Sequence, residues 1–163
     1  MNSVVVGIGY DSHKIDKKRK LVLGGLDIKS GFGLAGHSDA DVLCHAVIDA
    51  LLGACGKPDI GCFFPDNEPE WKDADSIVLL KSVVALVKSE SVKINYVDVV
   101  LIAEKPKIAP FVEAIRKNLA AAMGISFERV NIKAKTNEGM GFAGRGEGIA
   151  ALSNVTVERA FND

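Results

Sequence analysis

Apolar and polar positions follow two periods along this chain, one of two residues and one near 3.6, and glycine or proline separates most of the segments they mark out. Val4-Val5-Val6-Gly7-Ile8-Gly9-Tyr10 is a β-branched run punctuated by glycines and predicts a strand. Leu21-Val22-Leu23-Gly24-Gly25 followed by Leu26-Asp27-Ile28 predicts an outer hairpin arm. Ser38-Asp39-Ala40-Asp41 supplies an N-cap with carboxylates in the first turn. Val42, Leu43, Ala46, Val47, Ala50, Leu51 and Ala54 then recur at helical spacing until Gly56 and Pro58 stop them. A second helix is expected from about Asp75 through Leu79, Leu80, Val83, Val84 and Leu86 to Val87, and a third from about Pro110 to Met123, ended by Gly124. Residues 92–103, 129–134 and 149–158 alternate or are β-branched and complete the strands. The predicted order is β-β-α-α-β-α-β-β, an α/β (α+β) fold whose mostly buried mixed sheet carries its helices on one face.

Composition narrows the function classes. A chain of 163 residues that is 48% hydrophobic can bury a core and fits one domain over residues 1–163. Lys plus Arg number 20 against 21 Asp plus Glu, a formal net charge of −1, which argues against a nucleic-acid partner. The densest basic run, residues 14–20, is broken by Ile15 and Asp16. No stretch approaches the roughly 18 apolar residues that span a bilayer, and the N-terminal apolar run lacks a basic leader, so no membrane association is expected. Cys44, Cys55 and Cys62 are odd in number and lack Cys-x-x-Cys spacing, which predicts buried free thiols in a reducing compartment. The compartment expected is the cytoplasm, or an organelle lumen where a transit peptide has been removed.

Four places concentrate chemistry. Asp11-Ser12-His13 follows the first strand, and in extended chain residues two apart point the same way, so a carboxylate and an imidazole converge. His45 lies one turn into the first long helix, with Asp41 and Asp49 four residues to either side as candidates to orient its ring. Two histidines and a carboxylate form the ligand set of a catalytic zinc, although the same residues also suit purely structural hydrogen bonding. The third place is Gly31-Phe32-Gly33-Leu34-Ala35-Gly36-His37-Ser38, a loop entering a helix N-terminus, suited either to an anion or to an ordinary capped surface turn. The fourth is Lys135-Thr136-Asn137-Glu138 and the following ten residues, five of them glycine, with Met140 and Phe142 too apolar for a purely solvated loop. Neither Rossmann nor Walker spacing is present.

These residues carry a resemblance. Gly7-x-Gly9-x-Asp11-x-His13, Gly36-His37-Ser38-Asp39-Ala40-Asp41-Val42 with His45, Asp59-Ile60-Gly61 with Phe64-Pro65-Asp66, and Gly141-Phe142-x-Gly144-Arg145-Gly146-Glu147-Gly148 are similar, in order from about residue 5 to 158, to the 2-C-methyl-D-erythritol 2,4-cyclodiphosphate synthases. The resemblance implies a homotrimer of α/β subunits with active sites between neighbours. It implies cyclisation of 4-diphosphocytidyl-2-C-methyl-D-erythritol 2-phosphate to the cyclic diphosphate and CMP, in the non-mevalonate isoprenoid pathway.

Residue by residue, the resemblance makes Asp11, His13 and His45 ligands of Zn²⁺ and Glu138 the carboxylate for a second cation, Mg²⁺ or Mn²⁺. His37 and Thr136 become transition-state stabilisers. Substrate contacts fall on Asp11, His13, His37, Ser38, Asp59, Ile60, Gly61, Phe64, Pro65, Asp66, Asn67 and Glu68, with Phe142 and Arg145 further along. The cytidine half falls on Ala103-Glu104-Lys105-Pro106-Lys107-Ile108-Ala109, with Lys107 near phosphate, while Thr136 contacts phosphate and Lys135, Asn137 and Glu138 complete the substrate contacts. Ser12, Glu68, Lys135, Asn137 and Leu152 stand where the family usually carries other residues. A zinc-dependent phosphoester hydrolase using the same three ligands, and a non-catalytic nucleotide-binding protein, are the two other classes the residues admit.

Overall fold

The computed structural model describes residues 2–161. In chain order the elements are β1 (Asn2–Asp16), β2 (Leu21–Leu23), β3 (Leu26–Ile28), β4 (Gly33–Leu34), α1 (Val42–Ala54), α2 (Ile60–Phe63), α3 (Ser76–Ser89), β5 (Lys93–Ile102), α4 (Val112–Met123), β6 (Val130–Lys135), α5 (Gly141–Gly144) and β7 (Gly148–Ala160), with three single 3₁₀ turns between them. The main sheet has the order β4-β1-β7-β5-β6, and β2 with β3 forms a separate hairpin. β7 is the central strand, antiparallel to β1 from Asn2↔Ala160 to Lys14↔Gly148 and antiparallel to β5 on its other side. β5 and β6 are parallel, and α4 lies in the crossover that such a pair requires. Among the described residues no helix is long and apolar enough to cross a membrane.

The fold class and the long helices match the expectation, and several details differ. β1 does not stop at Tyr10 but continues to Asp16, so Asp11 and His13 are strand residues rather than residues of a following loop. Thirteen consecutive pairings with β7 hold this polar stretch extended, whatever its own propensity. α1 starts at Val42 with no acidic residue in its first turn; the carboxylate of its N-cap, Asp41, accepts from the Leu43 and Cys44 amides. Those amides are therefore not free to hold an anion. Cys44 and Cys55 are buried, but Cys62 is exposed on the single turn of α2, which has no buried residue.

The sheet is covered on one face only. Gly7, Gly9, Val97, Val99, Leu101, Ser153, Val155 and Val157 face the helical layer and are buried. The alternate positions of β1 are not, with Val4, Val6, Ile8 and Tyr10 exposed at 66%, 62%, 65% and 54%. Within one chain the sheet is thus half buried, and an apolar strip lies open on its far side.

α1 seats against β1 because two residues of the strand have no side chain. A Cβ on Gly7 would lie 1.9 Å from the Ala50 carbonyl oxygen, and one on Gly9 would lie 2.0 Å from that of Ala46. Both are backbone atoms, which cannot swing aside. Ala46, Ala50 and Ala54 on the facing helix complete this close approach.

Asp41 ties three elements together in the core. Fully buried, it caps α1 and also accepts from the Gly25 amide at 2.7 Å and the Ser76 hydroxyl at 3.0 Å. Asp41→Ala removes the cap and two further hydrogen bonds, one of them to the buried Ser76 hydroxyl, a loss of about 3 kcal/mol. Differential scanning calorimetry should show a fall in melting temperature of roughly 10 °C. A change within 2 °C would remove Asp41 from this role.

Candidate metal centre

Alternation along β1 places Gly7, Gly9, Asp11 and His13 on the face that α1 covers, so the two residues after the glycine seat are delivered to His45. The Asp11 Oδ2 atom is 2.9 Å from His13 Nε2 and 3.1 Å from His45 Nδ1, and the two nitrogens are 3.2 Å apart. This trio is the group of metal-ligating side chains that converges among the described residues.

The ring orientations favour three inward-facing lone pairs. His13 Nδ1 donates to the Ala35 carbonyl at 2.7 Å, which leaves its Nε2 as an acceptor. His45 Nε2 lies 3.2 Å from Ser38 Oγ, and donation there leaves Nδ1 as an acceptor too. Three electron-pair donors this close repel one another unless a cation sits among them. A tetrahedral ion with bonds near 2.0 Å separates its ligands by about 3.3 Å, close to the spacings seen here. Burial alone would raise the Asp11 carboxyl, yet the adjacent His13 and His45 rings outweigh it and hold the group far below the usual carboxylate range. Burial likewise disfavours a charged His13, but the Asp11 carboxylate beside it raises its affinity for a proton. The site's preference for positive charge is built in.

Asp41 and Asp49 do not orient His45. Asp41 is occupied in the core as described, and Asp49 accepts from the Ile60 amide at 2.8 Å. Asp49 instead anchors α2, and Ser38 takes the role beside the ring. Serine at that place is visible in the sequence, but its contact with a histidine seven residues on is not.

A cavity of about 200 Å³ opens over the trio, lined also by Gly36, His37, Ser38, Ile60, Gly61, Phe64, Asp66, Trp71 and Leu79. His37 Nε2 lies 3.3 Å from the Glu68 carbonyl and donates to it. Phe64 meets Trp71 edge to face with centroids 4.9 Å apart, forming an apolar wall. Trp71, the one tryptophan of the chain, and Leu79 line this cavity without having been singled out in the sequence. Of the Phe-Pro-Asp segment, Asp66, Asn67 and Glu68 are exposed.

Of the remaining candidate residues, which do not line this cavity, those of 103–109 and 135–138 form a second group. Asp59 caps α2 by accepting from the Cys62 amide. The Ala103 amide donates to the Lys135 carbonyl at 2.9 Å, and the Glu104 carboxylate accepts from the Asn137 amide at 2.8 Å, which fastens residues 103–109 to residues 135–138. The Thr136 hydroxyl donates to Glu138 at 2.7 Å, and both side chains are exposed. Glu138 has a left-handed backbone, φ 52°, at the turn. Arg145 makes a two-pronged pair with Glu147 at 2.8 and 3.0 Å, and together with Glu104 and Lys105 lines a separate cavity of about 490 Å³. Phe142 lines a third recess beside His13.

Residues 4–158 match the YgbB family. This chain belongs to the YgbB family. Among its relatives is the 2-C-methyl-D-erythritol 2,4-cyclodiphosphate synthase of Clostridium acetobutylicum, 53% identical over 148 residues that make up 91% of this chain and 96% of that one. The structure of the bifunctional IspDF from Campylobacter jejuni is similar to this fold with a TM-score of 0.94 and 38% identity, covering 98% of this chain and 43% of that one. The CDP complex of IspF from Plasmodium falciparum is similar with a TM-score of 0.85 and 32% identity over 99% of each chain. In this YgbB chain both candidate groups therefore lie inside the matched span, and so does the open sheet face.

Proposed function

We propose that this chain catalyses the metal-dependent cyclisation of 4-diphosphocytidyl-2-C-methyl-D-erythritol 2-phosphate to 2-C-methyl-D-erythritol 2,4-cyclodiphosphate with release of CMP, in the non-mevalonate isoprenoid pathway of a bacterial cytoplasm. The observation that carries the reading is the convergence of Asp11, His13 and His45 beneath a cavity edged by His37, Ser38 and Asp66, in a chain half identical to synthases of that name. The donor set of two imidazoles and one carboxylate suits Zn²⁺, and Glu138 with substrate phosphates suits Mg²⁺ or Mn²⁺. When bound, the two ions neutralise and polarise the phosphate oxygens.

The substrate supplies its own nucleophile. An oxygen of the 2-phosphate, whose second pKa of about 6 leaves it ionised at neutral pH, forms a bond to the β-phosphorus, while the bond from that phosphorus to the bridging oxygen breaks and CMP leaves with the electron pair. No water enters and no strong base is required. The protein's task is to bring two anionic groups into line and to exclude water. His37 and Thr136 donate to the oxygens that gain charge, Ser38 holds the His45 ring, and Asp59, Gly61 and Asp66 hold the methylerythritol hydroxyls. Ala103, Glu104, Lys105, Pro106, Lys107, Ile108 and Ala109 grip the cytidine half, and Lys135, Asn137, Ile60, Phe64, Pro65, Asn67, Glu68, Phe142 and Arg145 complete the substrate's surroundings.

Assembly as a homotrimer with sites between subunits is part of the proposal. Two features support it: the two groups do not share a cavity within one chain, and Val4, Val6, Ile8 and Tyr10 leave an apolar strip uncovered. Incubation with the diphosphocytidyl substrate, Zn²⁺ and Mg²⁺ should give cyclic diphosphate and CMP by ³¹P NMR. Inorganic phosphate as the product would make the chain a hydrolase instead, and an unchanged spectrum would make it a binding protein.

A further inference from the structure

We infer that Arg19 is a positioning residue for the loop that carries His37 and Ser38, a role that rests on the function proposed above. Arg19 belongs to the run Lys17-Lys18-Arg19-Lys20 between β1 and β2, which reads as an ordinary solvated turn. The three lysines are exposed, and Arg19 alone is partly buried. Its Nη1 donates to the Gly36 carbonyl and its Nη2 to the Ser38 carbonyl. The carbonyl between them, that of His37, accepts from the Asp73 amide at 2.9 Å, and the Asp73 carboxylate is 3.6 Å from Arg19 Nη2.

Three consecutive carbonyls are thus held from outside the cavity by one guanidinium and the residue it pairs with. Each carbonyl shares a rigid plane with the next amide, so holding three in a row sets how His37 and Ser38 enter the cavity. The constraint passes one step further, because Ser38 Oγ is the partner of the His45 ring. The fork geometry matters here. A guanidinium reaches two acceptors at once from a planar group, whereas an ammonium acts as a point charge and does not reproduce that bridge.

The test uses Arg19→Lys and Arg19→Ala in the full chain. Both should leave amide exchange in α1 unchanged and speed exchange at the Asp39 and Asp73 amides, which donate to the Ala74 and His37 carbonyls, by about tenfold. The kcat for cyclisation should fall by about tenfold to a hundredfold with KM changed less than about threefold, since substrate still binds but is presented out of line. Added guanidinium ion should restore part of the Arg19→Ala rate. Loop exchange and kcat within about twofold of the parent chain in both variants would overturn the inference, as would parental values in Arg19→Lys, which would assign the effect to charge alone. If the parent chain forms no cyclic product, the proposed function fails, and loop exchange in the two variants still decides what Arg19 holds.

Discussion

His45→Ala should lose bound metal and turnover together. The substitution removes one of three candidate ligand atoms that stand 2.9 to 3.2 Å apart and leaves only Asp11 and His13 to hold an ion. Loss of a residue that merely orients a ligand typically costs about ten- to a hundredfold in metal affinity, so loss of the ligand itself should cost more. Metal content by inductively coupled plasma mass spectrometry should drop below one tenth of the parent value, and kcat should fall by about a thousandfold or more. Stability should change little in the metal-free chains, because His45 lies at the edge of the core beneath an open cavity rather than inside it. A metal-free His45→Ala chain with parental activity would refute the proposed role of the site. Ser38→Ala, measured alongside, should show the smaller loss expected of an orienting partner.

The second large effect is expected from a residue with no functional group. In Gly9→Ala, the added methyl would stand 2.0 Å from the Ala46 carbonyl oxygen and 2.6 Å from the Ala50 amide nitrogen, so strand and helix must part. Overpacking of this kind costs about 1–3 kcal/mol, at the upper end where only backbone is available to yield. The separation falls beside the candidate metal ligands, since Asp11 follows Gly9 by two positions on the strand and His45 precedes Ala46 by one on the helix. Metal affinity should therefore fall by at least about tenfold even in the fraction that folds. Gly53→Ala is the matched control. Its Cβ would meet only the Ile8 carbonyl, at 3.7 Å, inside a helix where alanine is preferred by about 0.5–1 kcal/mol. It should be neutral or stabilising in thermal melts and in metal titration; equal losses in both variants would point to α1 itself rather than to its seat on β1.

What could be read in the sequence follows from the range of the interactions involved. α1 and α3 declare themselves through periodicity, and the carboxylates expected in the first turn of one and at the start of the other, Asp41 and Asp75, are the N-caps one residue before each start. The Asp-x-His spacing is legible because alternation in a strand is local geometry, and His45 because its helix is unambiguous. The limits of β1 were not legible. Asp11, Ser12, His13 and Lys14 are extended only because β7 pairs with them across the sheet. The partners of Asp41 lie 16 and 35 residues away, and those of Arg19 are backbone carbonyls 17 and 19 residues on, so no composition or motif marks either contact. The loop of residues 31–38 suits either an anion site at a helix end or an ordinary capped turn, because its glycines and helix are adjacent in sequence. In three dimensions the helix end is closed by Asp41, and the loop's polar groups reach the cavity from the side.

The shared parity of Gly7, Gly9, Asp11 and His13 has a consequence for folding in the presence of metal. A strand paired one position out of step would turn Val6, Ile8 and Tyr10 toward α1, where their side chains cannot fit, and would carry both β1 ligands to the opposite surface. Steric exclusion and ion capture thus reject the same error independently. An ion bound by these candidate ligands would lower the free energy of the in-step chain alone, and metal in the refolding medium would then act as a selector among products.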